Sequence, residues 1–170
     1  MLYAIGDISL RGYEVKDAEF LKKLYTDKDY EVFFRDQPHY KTMQELEQYP
    51  TVTGSTVFVI EEKNQPIGLF SLYDLRALVR SIKFGMLLDK EHQNKKIAVT
   101  VGQIICPYIF KRVGLNKLEC EIVEFDTRLI ASMKLWNFKV DGVNRDGAFL
   151  NGEFYNCITM SLTKKEYEET

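Results

Sequence analysis

The amino-acid sequence predicts a mixed α/β fold in a single domain spanning residues 1–170. Three observations carry that reading. Segments of helical periodicity alternate with short apolar runs of strand length. The stretch from Ser81 to Val123 reads as strand, helix, strand, a crossover that is right-handed and parallel as a rule. Near the end, Asn151-Gly152 separates two strand-like runs and marks a hairpin, because both positions tolerate positive φ.

Ile8, Leu10 and Tyr13 predict an opening strand, and Asp17 is a suitable N-cap for a helix carried by Phe20, Leu21 and Leu24. From Thr26 to Pro50 the chain is polar, aromatic and broken by Pro38 and Pro50, which fits one or two short helices. Thr42 and Glu45 are spaced as a capping box. Strands follow at Thr56–Glu61 and Ile67–Tyr73, around a turn at Glu62–Pro66. A longer connection, Asp74–Val79, leads to a strand at Ser81–Leu88. Lys95–Arg112 has helical spacing, weakened by Gly102 and kinked at Pro107, with Gly114 as its stop. Lys117–Val123 is a strand, Thr127–Trp136 a helix, and Phe138–Val143 a strand. Asn144–Phe149 and Glu153–Leu162 form the closing hairpin.

Composition excludes several function classes. Lysine and arginine number 23 against 25 acidic residues, for a net charge of −2, so no nucleic acid is expected as a partner. No apolar run approaches the roughly 20 residues of a membrane span, and no signal peptide opens the chain, so no membrane is expected either. Cys106, Cys120 and Cys157 are odd in number and set in apolar segments, which predicts buried reduced thiols and a cytoplasmic protein. Two histidines, His39 and His92, without CxxC or HxxxH, predict no metal site.

The junction from Phe84 to Ala98 carries the most chemistry. An apolar strand empties into a polar loop, and Lys95 and Lys96 stand at a helix start. Unpaired amides and the positive end of the helix dipole suit such a junction to a phosphate.

Three stretches, residues 86–89 with 93–98, residues 114–122 and residues 125–138, together resemble the GNAT superfamily of N-acetyltransferases. Met86-Leu87-Leu88-Asp89, followed by Gln93-Asn94-Lys95-Lys96-Ile97-Ala98, is similar to that family's strand end and pyrophosphate loop. Gly114 to Ile122 matches the next helix-to-strand turn, and Phe125-Asp126 through Asn137-Phe138 the helix after it. Arg11, Asp17 and Gly68 extend the likeness toward the N-terminus. Within the superfamily the chain resembles the ribosomal-protein N-terminal, polyamine and amino-sugar acetyltransferases. The resemblance implies a central, twisted, mostly antiparallel sheet of about seven strands with a splayed parallel pair, flanked by about four helices. It implies acetyl-CoA as acyl donor, with pantetheine along Met86, Leu87 and Leu88 and pyrophosphate on Gln93, Asn94, Lys95, Lys96, Ile97 and Ala98. Asp126 and Met133 would also face the cofactor.

The chain departs from the family at five places; at one of them Asn137 stands for a glycine, and because asparagine tolerates left-handed geometry the helix stop is expected to survive. Lys96 stands where a glycine is usual, and at positive φ it would cost about 1–2 kcal/mol. Asp126 stands for an asparagine; it is expected to cap the next helix but cannot donate to the cofactor when ionised. Met133 stands for a tyrosine that protonates the leaving thiolate, and Lys83 for a glutamate base. Glu121 is the foremost remaining base, with Glu124 and Tyr155 behind it, and a structural role for Glu121 stays open.

The resemblance implies direct transfer of acetyl to a primary amine in a ternary complex. The acceptor is a small molecule or peptide: a protein N-terminus, a polyamine or an amino sugar. Phe33, Phe34, Tyr73, Phe149 and Tyr155 are candidate acceptor residues, and the same aromatics also suit a core. A monomer or homodimer is expected. Two alternatives remain at this point, a non-catalytic binding or oligomerisation module and a transferase for a bulkier acyl group.

Overall fold

A computed structural model describes residues 3–30 and 42–169. Among them are eight strands and six α-helices, one strand and two short helices more than expected. The strands are β1 (Tyr3–Ile5), β2 (Ile8–Gly12), β3 (Thr56–Glu62), β4 (Gln65–Arg76), β5 (Ser81–Leu88), β6 (Lys117–Val123), β7 (Lys139–Leu150) and β8 (Glu153–Thr163). Their hydrogen-bonded order is β1-β2-β3-β4-β5-β6-β8-β7, with β5 and β6 parallel and the pairs β1–β2, β2–β3, β3–β4, β6–β8 and β7–β8 antiparallel. The chain separates into two compact units, one of residues up to Tyr73 with Gly85–Gln93, the other of Asp74–Phe84 with the residues from Asn94 on.

In the first unit, β1 (Tyr3–Ile5) and β2 (Ile8–Gly12) form a hairpin, and β1 was not anticipated. Asp17 precedes α1 (Ala18–Thr26) as expected, but its carboxylate does not cap the helix. It turns back to accept from the Glu14 amide at 2.8 Å and from Arg11. The Thr42–Glu45 capping box is present at the start of α2 (Met43–Glu47), and α3 (Tyr49–Thr53) follows with Pro50 in its first turn. Leu21, Leu24, Leu46, Tyr49, Val57, Val59, Leu69 and Leu87 make the core of this unit.

β3 (Thr56–Glu62) and β4 (Gln65–Arg76) meet in a two-residue turn, with Lys63 and Asn64 both at positive φ. The turn is tighter than the five residues expected, and β4 continues through Asp74–Arg76, which the sequence reading gave to a connection. Gly68 on β4 is required by a close approach: a Cβ there would lie 2.3 Å from the Leu87 carbonyl oxygen.

The second unit begins in β5 (Ser81–Leu88). Its helix α4 (Lys95–Pro107) ends at the proline, which lacks the N–H for the next helical bond. The chain continues through a wider turn, Tyr108–Val113, to Gly114 at φ 74°. Gly102 is a packing position, because a Cβ there would meet the Trp136 ring at 2.6 Å. Trp136 stacks on Phe84, and Phe138 meets both rings edge-on. β6 (Lys117–Val123), α5 (Thr127–Leu135), β7 (Lys139–Leu150), β8 (Glu153–Thr163) and α6 (Lys164–Glu168) complete the unit. The two strands expected between Phe138 and Phe149 are one, β7, with register shifts at Val140/Gly142 and Asn144/Ala148.

Candidate active site

The parallel ladder of β5 and β6 covers three pairs, from Ser81 with Lys117 to Lys83 with Glu119. β5 then runs on to Leu88 and β6 to Val123. The parallel pair that the family resemblance implies is thus in place. Leu87 and Leu88 are buried, and Met86 is half-buried.

The loop leaving β5 is braced at each step. The Asp89 amide donates to the Ile67 carbonyl at 2.8 Å, and the Asp89 carboxylate caps a single turn, Lys90–His92. The His92 ring lies between Asp89 Oδ1 and Glu62 Oε2, the latter at 3.4 Å from Nε2. The Gln93 side chain donates to the Leu88 carbonyl at 3.1 Å. Asn94 is the N-cap of α4, its Oδ1 accepting from the Ile97 amide at 2.9 Å. The amides of Lys95 and Lys96 therefore stand at the positive end of a capped helix. Lys96 is exposed and within the helix, not at positive φ, so the expected strain does not arise.

On the second unit, Asp126 caps α5 by accepting from the Leu129 amide at 2.9 Å. Met133 on that helix is 1 % exposed and belongs to the packed interior. Glu121 is half-buried, and Lys83 donates to its Oε1 at 3.1 Å while lying 3.3 Å from Asp74. Burial pulls the Lys83 pKa down, and hydrogen bonds and charge from Glu121 and Asp74 outweigh it, holding the ammonium above its ordinary value.

Phe33 and Phe34 lie outside the described residues. Tyr73 stands half-buried on β4 in the first unit. Phe149 and Tyr155 face each other's strands in the β7–β8 hairpin of the second. Phe149 is 59 % exposed and packs on Phe154, with ring centroids 4.8 Å apart. The Tyr155 ring sits edge-on against Phe125, and its hydroxyl donates to Glu153 at 2.9 Å. Sequence reasoning missed the bracing by Asp89 and His92, although their i,i+3 spacing was a signal, and it missed the partner of Glu124, which is Asn156.

Among the described residues no group of three or more His, Cys, Asp and Glu side chains is arranged to hold a metal ion. None of their helices is long and apolar enough to cross a membrane.

The model of the acetyltransferase (GNAT) domain matches residues 7–138. Spermidine N(1)-acetyltransferase of Escherichia coli is 23% identical over 164 residues, covering 94% of this chain and 88% of that one. The putative ribosomal N-acetyltransferase YdaF of Bacillus subtilis is 26% identical over 172 residues, covering 95% and 93%. Spermidine N-acetyltransferase of Vibrio cholerae, in complex with CoA and spermine, superposes with a TM-score of 0.86 at 23% identity, over 95% of this chain and 98% of that one. A dodecameric structure of the same enzyme superposes at 0.81, also at 23% identity, over 95% and 96%. With the family match covering more than half of its length, the chain belongs to the GNAT family and is an N-acetyltransferase.

Proposed function

We propose that this chain moves the acetyl group of acetyl-CoA to a primary amine of a polyamine, by direct attack of the amine on the thioester. The observation that carries the donor is the braced β5 exit and capped α4 start, whose amides suit a pyrophosphate. Polyamine as acceptor is supported by the relatives that act on spermidine. The reading takes residues 1–170 as one acyl-CoA N-acyltransferase-like domain.

In this reading Met86, Leu87 and Leu88 run beside the pantetheine, and the backbone of Gln93–Ala98 binds the pyrophosphate. The ammonium of Lys96 adds charge-assisted contact. Asp126, occupied as a helix cap, and Met133, in the interior, contribute by shaping α5. The amine nitrogen bonds to the carbonyl carbon as the carbon–sulfur bond breaks. Glu121 takes the amine proton, the thiolate gains its proton from water because Met133 has none to give, and the hydroxide so formed takes the proton back from Glu121. Positioning supplies much of the rate in such a transfer. Phe149 and Tyr155 contact the acceptor in this reading, and Tyr73 is a separate candidate.

The buried cysteines Cys106, Cys120 and Cys157 support a cytoplasmic setting. The dodecameric relative supports adding a larger homo-oligomer to the expected monomer or homodimer. Light scattering separates these states.

Calorimetry with acetyl-CoA, followed by thiol release over spermidine, spermine, N-terminal peptides and amino sugars, tests the reading. Binding followed by release with polyamines is the expected result. Absence of acetyl-CoA binding at millimolar concentration overturns it, and release only with peptides or amino sugars reassigns the acceptor.

A further inference from the structure

Asn156 on β8 uses every hydrogen-bonding group it has. Its amide donates to Glu124 Oε1 at 3.0 Å, and its Nδ2 donates to Glu124 Oε2 at 3.1 Å. Its carbonyl accepts from the Glu124 amide at 3.0 Å, and its Oδ1 accepts from the Asp146 amide at 3.2 Å. Both carboxylate oxygens of Glu124 are thereby engaged, so Glu124 is not placed as a free base.

The location gives these bonds a consequence. The β6–β8 ladder ends at Val123 with Cys157, so the Glu124–Asn156 pair lies just beyond it. Opposite Asn156, the β7 register jumps from Asn144/Cys157 to Ala148/Tyr155, leaving residues 145–147 as a bulge. Asp146 in that bulge has φ 52°, a conformation a non-glycine residue keeps only where its surroundings hold it. Beyond the bulge the hairpin carries Phe149 and Tyr155, and Tyr155 rests on Phe125, the neighbour of Glu124.

We propose that Glu124 and Asn156 are positioning residues: a clamp that fixes the bulge and so aims the hairpin at the amine acceptor. The clamp rests on the reading that Phe149 and Tyr155 contact the acceptor. It touches neither acetyl-CoA nor the reacting atoms.

The hydrogen-bond inventory supplies the test. Glu124→Gln turns an amide nitrogen toward the Asn156 Nδ2, donor against donor. Asn156→Asp sets carboxylate against carboxylate. The double variant Glu124→Gln/Asn156→Asp restores each bond, with the new amide donating to the new carboxylate, whose other oxygen accepts from the Asp146 amide. Each single variant is expected to raise the KM for the amine about tenfold, the scale of one hydrogen bond to a charged group, with the affinity for acetyl-CoA unchanged. The double variant is expected to return to within about threefold of the parent. A merely structural role would reduce the folded fraction, lowering kcat at constant KM. That result, or a double variant no better than the singles, overturns the clamp. If the parent protein acetylates no amine, the functional reading has failed, and hydrogen exchange at residues 145–155 decides the clamp separately. Protection lost in both singles and regained in the double sustains it, and unchanged protection removes it.

Discussion

Arg11 grips Asp17 through two hydrogen bonds of 2.7 Å, Nη1 to Oδ2 and Nη2 to Oδ1, where Asp17 is 2 % exposed. The remaining nitrogen, Nε, donates to Glu61 Oε1 at 2.7 Å, so one guanidinium joins β2, the start of α1 and β3. Removing one member of a buried pair leaves an uncompensated charge. Arg11→Met is therefore expected to cost about 3–5 kcal/mol in urea unfolding. A loss below about 1 kcal/mol would show that the two carboxylates find other partners.

Acid sensitivity follows from two carboxylates held below their ordinary range. Glu166 falls from 4.5 to about 2, chiefly through Lys139 at 2.6 Å and then through the amide and hydroxyl of Thr163. Burial pushes Asp17 up, and the Arg11 bonds with the Glu14 amide outweigh it, so it too is lowered. A folded-state pKa below the unfolded one favours the native state once the group is ionised. The Glu166 contribution is thus complete above about pH 4.5 and lost as pH falls through about 2. Glu166→Gln should flatten the stability profile in that window while leaving the neutral-pH slope intact, as followed by urea midpoints.

Lys96 tests the donor site. Its backbone is helical, so Lys96→Gly relieves no strain, removes a charge and lowers helix propensity by about 1 kcal/mol. Both Lys96→Gly and Lys96→Gln are expected to weaken acetyl-CoA binding about three- to tenfold at low salt, with the deficit shrinking as salt rises. Tighter binding by the glycine variant would show that the loop must rearrange into positive φ to hold the pyrophosphate.

Glu121 tests the chemistry. Glu121→Gln is expected to lower kcat about 10²- to 10⁴-fold, the usual contribution of a general base, with acetyl-CoA affinity within about twofold. Lys83 keeps Asp74 as a partner in that variant, which limits collateral loss. An unchanged kcat would assign Glu121 to its ion pair alone.

Local features were legible in the sequence because neighbours in the chain decide them. The capping box at Thr42 and Glu45, the cap at Asp126, the left-handed Asn137 and the Asn151-Gly152 turn are all present. Features that depend on distant partners were not. β4 extends through Asp74–Arg76, where Arg76 meets Glu119 on β6, a partner 43 residues away. β7 stays one strand across its bulge because β8 pairs with it on both sides. Asp17 gives up its capping role because Arg11 competes for the carboxylate.

The sequence by itself determined the family likeness, the order of the elements from Ser81 onward, and the residues at the β5–α4 junction. The likeness rests on the motifs that carry it, and the element order on periodicity, turn chemistry and caps, which act over a few residues. The tertiary structure decided which of those residues hold one another. It set Lys96 in a relaxed helix, joined Glu121 to Lys83, drew Met133 into the interior and closed Glu124 on Asn156. Hydrogen bonds and ion pairs between distant side chains exist only once the strands are in register, and which side chains then meet across strands depends on partners far apart in the chain.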